Sequence, residues 1–100
     1  MIQIGNELPV KYNDMPSGLI GYWWETEHQI CVPLVESVNE GDGTFSKWLD
    51  ELKAKGKTIF FPTVVSGRLD TILRKRGYKE AFVMDRDVGG IDGLALEVKE

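Results

Sequence analysis

Residues 39–44 read Asn39-Glu40-Gly41-Asp42-Gly43-Thr44, and this glycine turn is the point from which the fold can be worked out. A strand-like apolar run, residues 29–38, comes before the turn, and apolar residues at helical spacing follow it. A strand that stops at a glycine turn and opens into a helix directs unpaired backbone N–H groups and the positive end of the helix dipole at one small space. That space suits a phosphate. Glycine is also the ordinary residue for a plain turn with positive φ, so both interpretations stay open.

The pattern on either side of the turn predicts the other elements. Residues 19–26 are rich in aromatics and pair as an antiparallel hairpin with residues 29–38. A first helix carries Phe45, Trp48, Leu49 and Leu52. A short strand at residues 58–61, a second helix at residues 66–77, and strands at residues 78–84 and 94–98 follow, the last two joined by a glycine-rich link at residues 88–93. Residues 1–17 contain two short strand-like pieces.

This order of elements predicts an α+β or α/β fold. We expect a mixed, mainly antiparallel sheet with one parallel β-α-β unit and two main helices. The chain has 100 residues, of which 42% are hydrophobic, which is enough for one core. Residues 1–100 are therefore predicted to form a single domain.

Charge and composition exclude several classes of function. The formal net charge of −4 argues against a protein that gains affinity by neutralising a nucleic-acid backbone, so nucleic acid is not expected as a partner. No apolar run approaches the roughly 20 residues that span a bilayer. Cys31 is the only cysteine, which fits a reducing compartment and predicts a cytoplasmic protein. No metal site is predicted.

From residue 18 to residue 85 the pattern resembles the core of the GNAT-type N-acetyltransferases. In that family a strand enters a loop of the form Gln/Arg-x-x-Gly-x-Gly/Ala, whose amides hold the pyrophosphate of acetyl-coenzyme A. The next strand splays away to admit the pantetheine arm, and a second helix ends in Gly-Phe. Here residues 38–43 match the loop with both glycines, and residues 66–78 match the second helix. The resemblance implies acetyl-coenzyme A as cofactor, bound by Val38, Asn39, Gly41, Gly43 and Thr44, and a protein or small-molecule amine as acceptor.

Three departures from the family pattern support an alternative. Val38 replaces the usual cationic or amide residue, and Glu40 and Asp42 add negative charge to the loop. Leu73 stands where the family often has a tyrosine that protonates the leaving thiolate. The usual N-terminal strand and helices, which form one wall of the acceptor site, are replaced by about 17 residues. The alternative is a non-catalytic binding, inhibitor or assembly module with the same fold, and an incomplete wall suggests a homodimer.

Acyl transfer to an amine needs a base, and the candidates are Glu25, Glu27 and His28 at the hairpin turn. A lone histidine in a polar turn is more often a surface residue. Trp23 and Trp24 are adjacent on a strand and should face opposite sides of the sheet.

Four further features have plain structural interpretations. Thr44 and Ser66 are expected as helix caps rather than ligands or nucleophiles. The cations of residues 74–76 could meet a ribose phosphate, yet cations complement the last turn of any helix. Cys31 is expected as a small buried residue rather than a reactive thiol.

Overall fold

The fold was obtained as a computed structural model, which describes residues 1–38, 41, 43–85 and 89–97. Two helices and seven strands are described: β1 (Ile2–Ile4), β2 (Lys11–Asp14), β3 (Leu19–Glu25), β4 (Gln29–Ser37), α1 (Thr44–Lys53), β5 (Thr58–Pro62), α2 (Gly67–Lys75), β6 (Lys79–Asp85) and β7 (Gly89–Leu96). Neither described helix has the length and apolar character needed to cross a bilayer.

All seven strands join one mixed sheet in the order β1-β6-β7-β5-β4-β3-β2. The β3–β4 hairpin is antiparallel and β4 pairs in parallel with β5, which confirms the predicted mixed sheet with two helices. A second parallel pair, β1 with β6, was not predicted. Strand β1 closes one edge of the sheet and β2 the other. The weakly patterned first residues therefore complete both edges.

Both helices pack on the same face of the sheet. Trp48, Leu49 and Leu52 of α1 and Leu73 of α2 belong to one buried cluster. The strand residues of that cluster alternate along each strand: Ile30 and Val32 in β4, Ile59 and Phe61 in β5. The intervening residues point to the opposite face, which we call the open face.

The two faces separate the adjacent tryptophans as predicted. Trp23 is buried on the helix face, where its ring meets that of Trp48 edge-on with 6.1 Å between centroids. Trp24 lies on the open face, half-buried, with its ring 6.0 Å from that of Tyr12 and 6.4 Å from that of Tyr22. The hydrophobic core thus lies between the sheet and the two helices.

Residues 5–10 connect the two edges of the sheet, and we call them the strap. Glu7 anchors the strap to the β3–β4 turn, because its carboxylate accepts hydrogen bonds from the Thr26 hydroxyl and the His28 backbone N–H. The second carboxylate oxygen of Glu7 is 2.8 Å from His28 Nδ1. The Val10 N–H donates to the Glu25 carbonyl at 2.8 Å and leads the strap into β2.

The helix ends follow the predicted signals at both ends of α2 but not at the start of α1. The Ser66 hydroxyl caps α2 by accepting from the Leu69 N–H at 3.3 Å, and Gly77 closes α2 with a positive φ of 91°. Thr44 is not a cap: it is the first residue of α1, and Gly43 occupies the N-cap position with no side-chain hydrogen bond. The prediction for Thr44 was wrong because the left-handed backbone of Gly43, at φ 85°, already turns the chain into the helix.

The glycine-rich link at residues 88–93 was predicted as a loop, and that prediction was wrong from Gly89 onward. Strand β7 begins at Gly89 and pairs with β6 from Gly89 to Ala95. A Cβ at Gly93 would lie 2.1 Å from the Phe61 carbonyl oxygen, so this glycine permits a close approach of β5 to β7. Residues 86–88 and Val98 lie outside the described residues.

Candidate functional site

The described structure contains a cleft where β4 separates from β5. The two strands pair at Gln29 with Thr58, Ile30 with Ile59 and Cys31 with Phe60, and their pairing ends there. Yet β4 runs on to Ser37 and β5 to Pro62. Two neighbouring parallel strands that stop pairing while both continue leave a gap between their carboxyl ends.

A β-bulge in β4 lies at the point of separation. Tyr22 pairs with Leu34 and Trp24 with Cys31, so two steps along β3 match three steps along β4. The extra residue falls at Val32 and Pro33, and a proline has no N–H to give to a ladder. A bulge bends the strand that carries it, so β4 turns away from β5 at this point.

The cleft has a volume of about 690 Å³ and reaches both faces of the sheet. Val35, Phe45, Leu69 and Ile72 line its helix side, where they pack against the core cluster. Leu34 and Glu36 line its open-face side, since each is the cross-strand partner of an open-face residue of β3.

Both helix N-termini border this cleft. Gly41, Gly43 and Ser46 belong to the lining at the start of α1, and Ser66 and Arg68 belong to it at the start of α2. The first amides of a helix have no intrahelical partner and carry the positive end of its dipole. The residue at the N-cap position of α1 is Gly43, which has no side chain to bind these amides. The N-termini of α1 and α2 therefore place partial positive charge at one end of an otherwise apolar cleft.

The two glycines of the predicted phosphate loop have the conformation that the sequence implied. Gly41 has a φ of 84° and Gly43 a φ of 85°. A Cβ on either residue would meet no atom within 4 Å, so both glycines are required for their backbone angles and the space beside them is open.

The other predicted cofactor ligands are placed differently. Val38 is exposed, and its N–H donates to the Gly18 carbonyl at 2.9 Å, so this amide is used within the fold. Thr44 lies beside Gly18 at the start of α1. Asn39, together with the carboxylates at positions 40 and 42, falls outside the described residues.

The structure does not bring the predicted catalytic residues to the cleft. Glu25, Glu27 and His28 lie at the β3–β4 turn, where β4 begins, whereas the cleft opens where β4 ends. Four residues of β4, 29–32, separate His28 from Pro33, the first strand residue of the cleft lining, which is roughly 15 Å along the strand. His28 holds the strap through Glu7, and Glu25 pairs with Lys55 at 3.1 Å. These side chains have structural partners where they are.

The electrostatics of the strap anchor shift both of its titrating groups. Hydrogen bonds from Thr26 and then from His28 lower the pKa of Glu7 below its usual 4.5. The hydrogen bond to Glu7, followed by its charge, raises the pKa of His28 above 6.5. The pair thus favours an ionised carboxylate beside a protonated imidazole.

Two of the three basic residues at the end of α2, Arg74 and Arg76, are engaged in ion pairs. Arg74 contacts Asp70 at 3.0 Å and Glu80 at 3.3 Å, and Arg76 contacts Asp50 at 2.7 Å. These guanidiniums lie at the opposite end of α2 from the cleft. The structural interpretation of this cluster is therefore the better one.

Two other residues have surroundings that exclude direct chemistry. Leu73 is fully buried in the core cluster. Cys31 packs against a second small cluster on the open face, and burial raises the pKa of its thiol to about 12. A thiol with that pKa is not a nucleophile at neutral pH.

The sequence did not single out Glu36, Arg68 or Thr63, which all line the cleft. Thr63 follows β5 with a positive φ of 53°, an unusual angle for a β-branched residue, and its N–H donates to the Asp92 carbonyl at 2.7 Å. The available signal was Pro33, because a proline within a predicted strand indicates a bulge or an edge.

Comparison with protein-family models, with curated proteins and with solved structures finds no match for this chain. Among the described residues, no three histidine, cysteine, aspartate or glutamate side chains come together as they would around a metal ion.

Proposed function

We propose that the cleft binds a coenzyme A thioester and that the chain is a GNAT-type, acetyl-coenzyme A-dependent N-acyltransferase. The observation that carries the proposal is the separation of β4 from β5 with the N-termini of α1 and α2 at the mouth of the gap. This is the strand geometry that the family uses to admit a pantetheine arm.

The chemical character of the cleft matches the two parts of such a ligand. Gly41, Gly43 and the amides that open α1 face the place where a pyrophosphate would lie, and Arg68 adds a cation in the lining. The apolar side chains farther in, such as Val35, Phe45 and Ile72, suit the uncharged pantetheine arm.

For the transfer itself, Glu36 is the carboxylate best placed among the described residues. Glu36 is exposed and lines the cleft on the open face. In this proposal the amine nitrogen attacks the thioester carbonyl, Glu36 accepts the amine proton, and the C–S bond breaks to give the amide and a thiolate. The thiolate then takes a proton from water, since Leu73 has none to give, and the hydroxide that remains takes the proton from Glu36.

Calorimetric titration with coenzyme A tests the binding step. The Ser46→Glu variant places a carboxylate in the first turn of α1, inside the lining, where negative charge favours the helix but repels phosphate. Thr71→Glu on the exposed side of α2 makes the same charge change outside the lining and is the matched control. We expect binding by the wild type, affinity lower by at least about tenfold in Ser46→Glu, and no change in Thr71→Glu. Absence of heat from the wild type at millimolar coenzyme A would refute the proposal.

A non-catalytic binding module is the second candidate, favoured by the fully buried Leu73 at the position of the usual thiolate acid. Release of free thiol from acetyl-coenzyme A in the presence of a primary amine separates the two functions. If the wild type binds coenzyme A but releases thiol no faster than Glu36→Gln does, the chain is a non-catalytic binding module. The homodimer stays a prediction under either one.

A further inference from the structure

Five side chains form an apolar surface on the open face of β2, β3 and β4, which we call the open-face patch: Tyr12, Ile20, Tyr22, Trp24 and Leu34. Cross-strand register makes them neighbours, because Tyr12 pairs with Trp24 and Tyr22 with Leu34. The centroid of the Trp24 ring lies 6.0 Å from that of Tyr12 and 6.4 Å from that of Tyr22.

The patch is large for a molecule of this size. Tyr12 is 72% exposed, Ile20 55%, Leu34 48% and Tyr22 46%. With side chains of this kind the exposed area is on the order of 500 Å², near the upper end of what a monomer usually leaves open. An area of that size exceeds what a small amine covers and fits a peptide segment of several residues.

Two carboxylates are the only charges that β2, β3 and β4 direct to this face. Asp14 is the cross-strand partner of Tyr22, and Glu36 is the partner of Ile20. Lys11, the cation of β2, is the cross-strand neighbour of Glu25 and therefore lies on the other face of the sheet. Two copies of the chain meeting through the patch would bring four carboxylates together with no cation from these three strands. An anionic membrane surface meets the same repulsion, whereas a cationic segment is attracted.

We propose that the open-face patch is a docking surface for a lysine-bearing apolar segment of a protein partner. The aromatic and aliphatic side chains receive the apolar residues, and the ring faces together with Glu36 and Asp14 attract the ammonium group. Leu34 and Glu36 also line the cleft, so a lysine held at this end of the patch lies at the cleft mouth. The docking itself requires no coenzyme.

Peptide titration without coenzyme A tests the proposal separately from the cleft. The probe is the blocked peptide SLFKLIS, compared with SLFELIS and with SSSKSSS, and the readout is the indole ¹⁵N–¹H resonance of Trp24. We expect a shift with SLFKLIS, at least about tenfold weaker binding of the other two peptides, and loss of the lysine preference in Glu36→Gln but not in Glu51→Gln on α1. Tyr22→Ser and, as a second variant, Ile20→Ser should weaken binding, while Leu8→Ser in the strap, which is 85% exposed, should not.

Three results would overturn the proposal. The first is no shift of the Trp24 resonance with millimolar SLFKLIS, and the second is equal affinity for SLFKLIS and SLFELIS. The third is a sedimentation mass of two chains that both Tyr22→Ser and Ile20→Ser reduce to one, since a second copy would then cover the patch. Because coenzyme A is absent from these measurements, a failure of the Ser46→Glu comparison leaves their outcome unaffected.

Discussion

Replacing Gly21 by alanine tests the strand geometry that opens the cleft. A Cβ at Gly21 would lie 2.0 Å from the Leu34 carbonyl oxygen and 2.7 Å from its carbon, so β3 and β4 must part by at least about 1 Å. The φ of 134° adds strain of about 1–2 kcal/mol for a residue with a Cβ. Loss of two ladder hydrogen bonds adds about 1 kcal/mol each, so we expect a destabilisation of about 3–4 kcal/mol.

Urea unfolding followed by tryptophan fluorescence measures that loss. The control is Gly41→Ala, where φ is 84° but a Cβ meets no atom within 4 Å, so only the strain of about 1–2 kcal/mol applies. In thermal melts Gly21→Ala should unfold more than about 10 °C below the wild type. If Gly21→Ala lowers the free energy of unfolding by no more than Gly41→Ala does, then β3 and β4 do not approach each other as described. The evidence for the β-bulge in β4 would then be lost.

Three smaller predictions concern the residues around the site. Leu73→Tyr should lower stability by about 1–3 kcal/mol in urea unfolding and leave thiol release unchanged, because the added ring has no room in the core; a rise in thiol release would contradict this. Glu7→Gln should lower the melting temperature most between pH 4.5 and 6.5. The stabilisation from the lowered pKa of Glu7 is lost as pH falls through the folded-state pKa of Glu7, and the stabilisation from the raised pKa of His28 is lost as pH rises through the folded-state pKa of His28. An equal effect of the substitution at pH 8 would argue against the pair. Arg76→Ala should change stability by less than about 1 kcal/mol, because its ion pair with Asp50 is solvent-exposed, and a larger loss would show that the pair is part of the core packing.

Sequence patterns within single elements predicted most of the fold. They failed where an element depends on contacts between residues that are distant in sequence. Periodicity and caps located the hairpin, both helices and the β4–β5 pair, because those signals lie within each element. The start of β7 was not predicted because a glycine such as Gly93 is typical of a loop. Gly93 lies in a strand because the Phe61 backbone of β5 approaches it too closely for a side chain. The parallel pair of β1 with β6 joins strands more than 70 residues apart, a distance that no local pattern encodes.

The candidate site divides in the same way. Gly41 and Gly43 were identified because a strand, two glycines and a helix lie next to one another in sequence. Glu36 and Arg68 were missed because they come together only after α1 has carried the chain from β4 to β5. The choice of His28 followed from its chemistry alone, and the strap that occupies it could not be foreseen from seventeen weakly patterned residues.

One inserted residue in β4 contributes to both the cleft and the open-face patch. Side chains alternate along a strand, so from Cys31 on the open face an unbroken strand would direct Leu34 and Glu36 toward the helices. The bulge at Val32 and Pro33 adds one residue and reverses that alternation, which is why Leu34 pairs with Tyr22 on the open face. The same bulge ends the pairing with β5 and opens the cleft. The cleft and the patch are therefore connected through one feature of the backbone. A sequence change that restores regular pairing in β4 should close the cleft and turn Leu34 and Glu36 away from the open face, while Tyr12, Ile20, Tyr22 and Trp24 of β2 and β3 stay there.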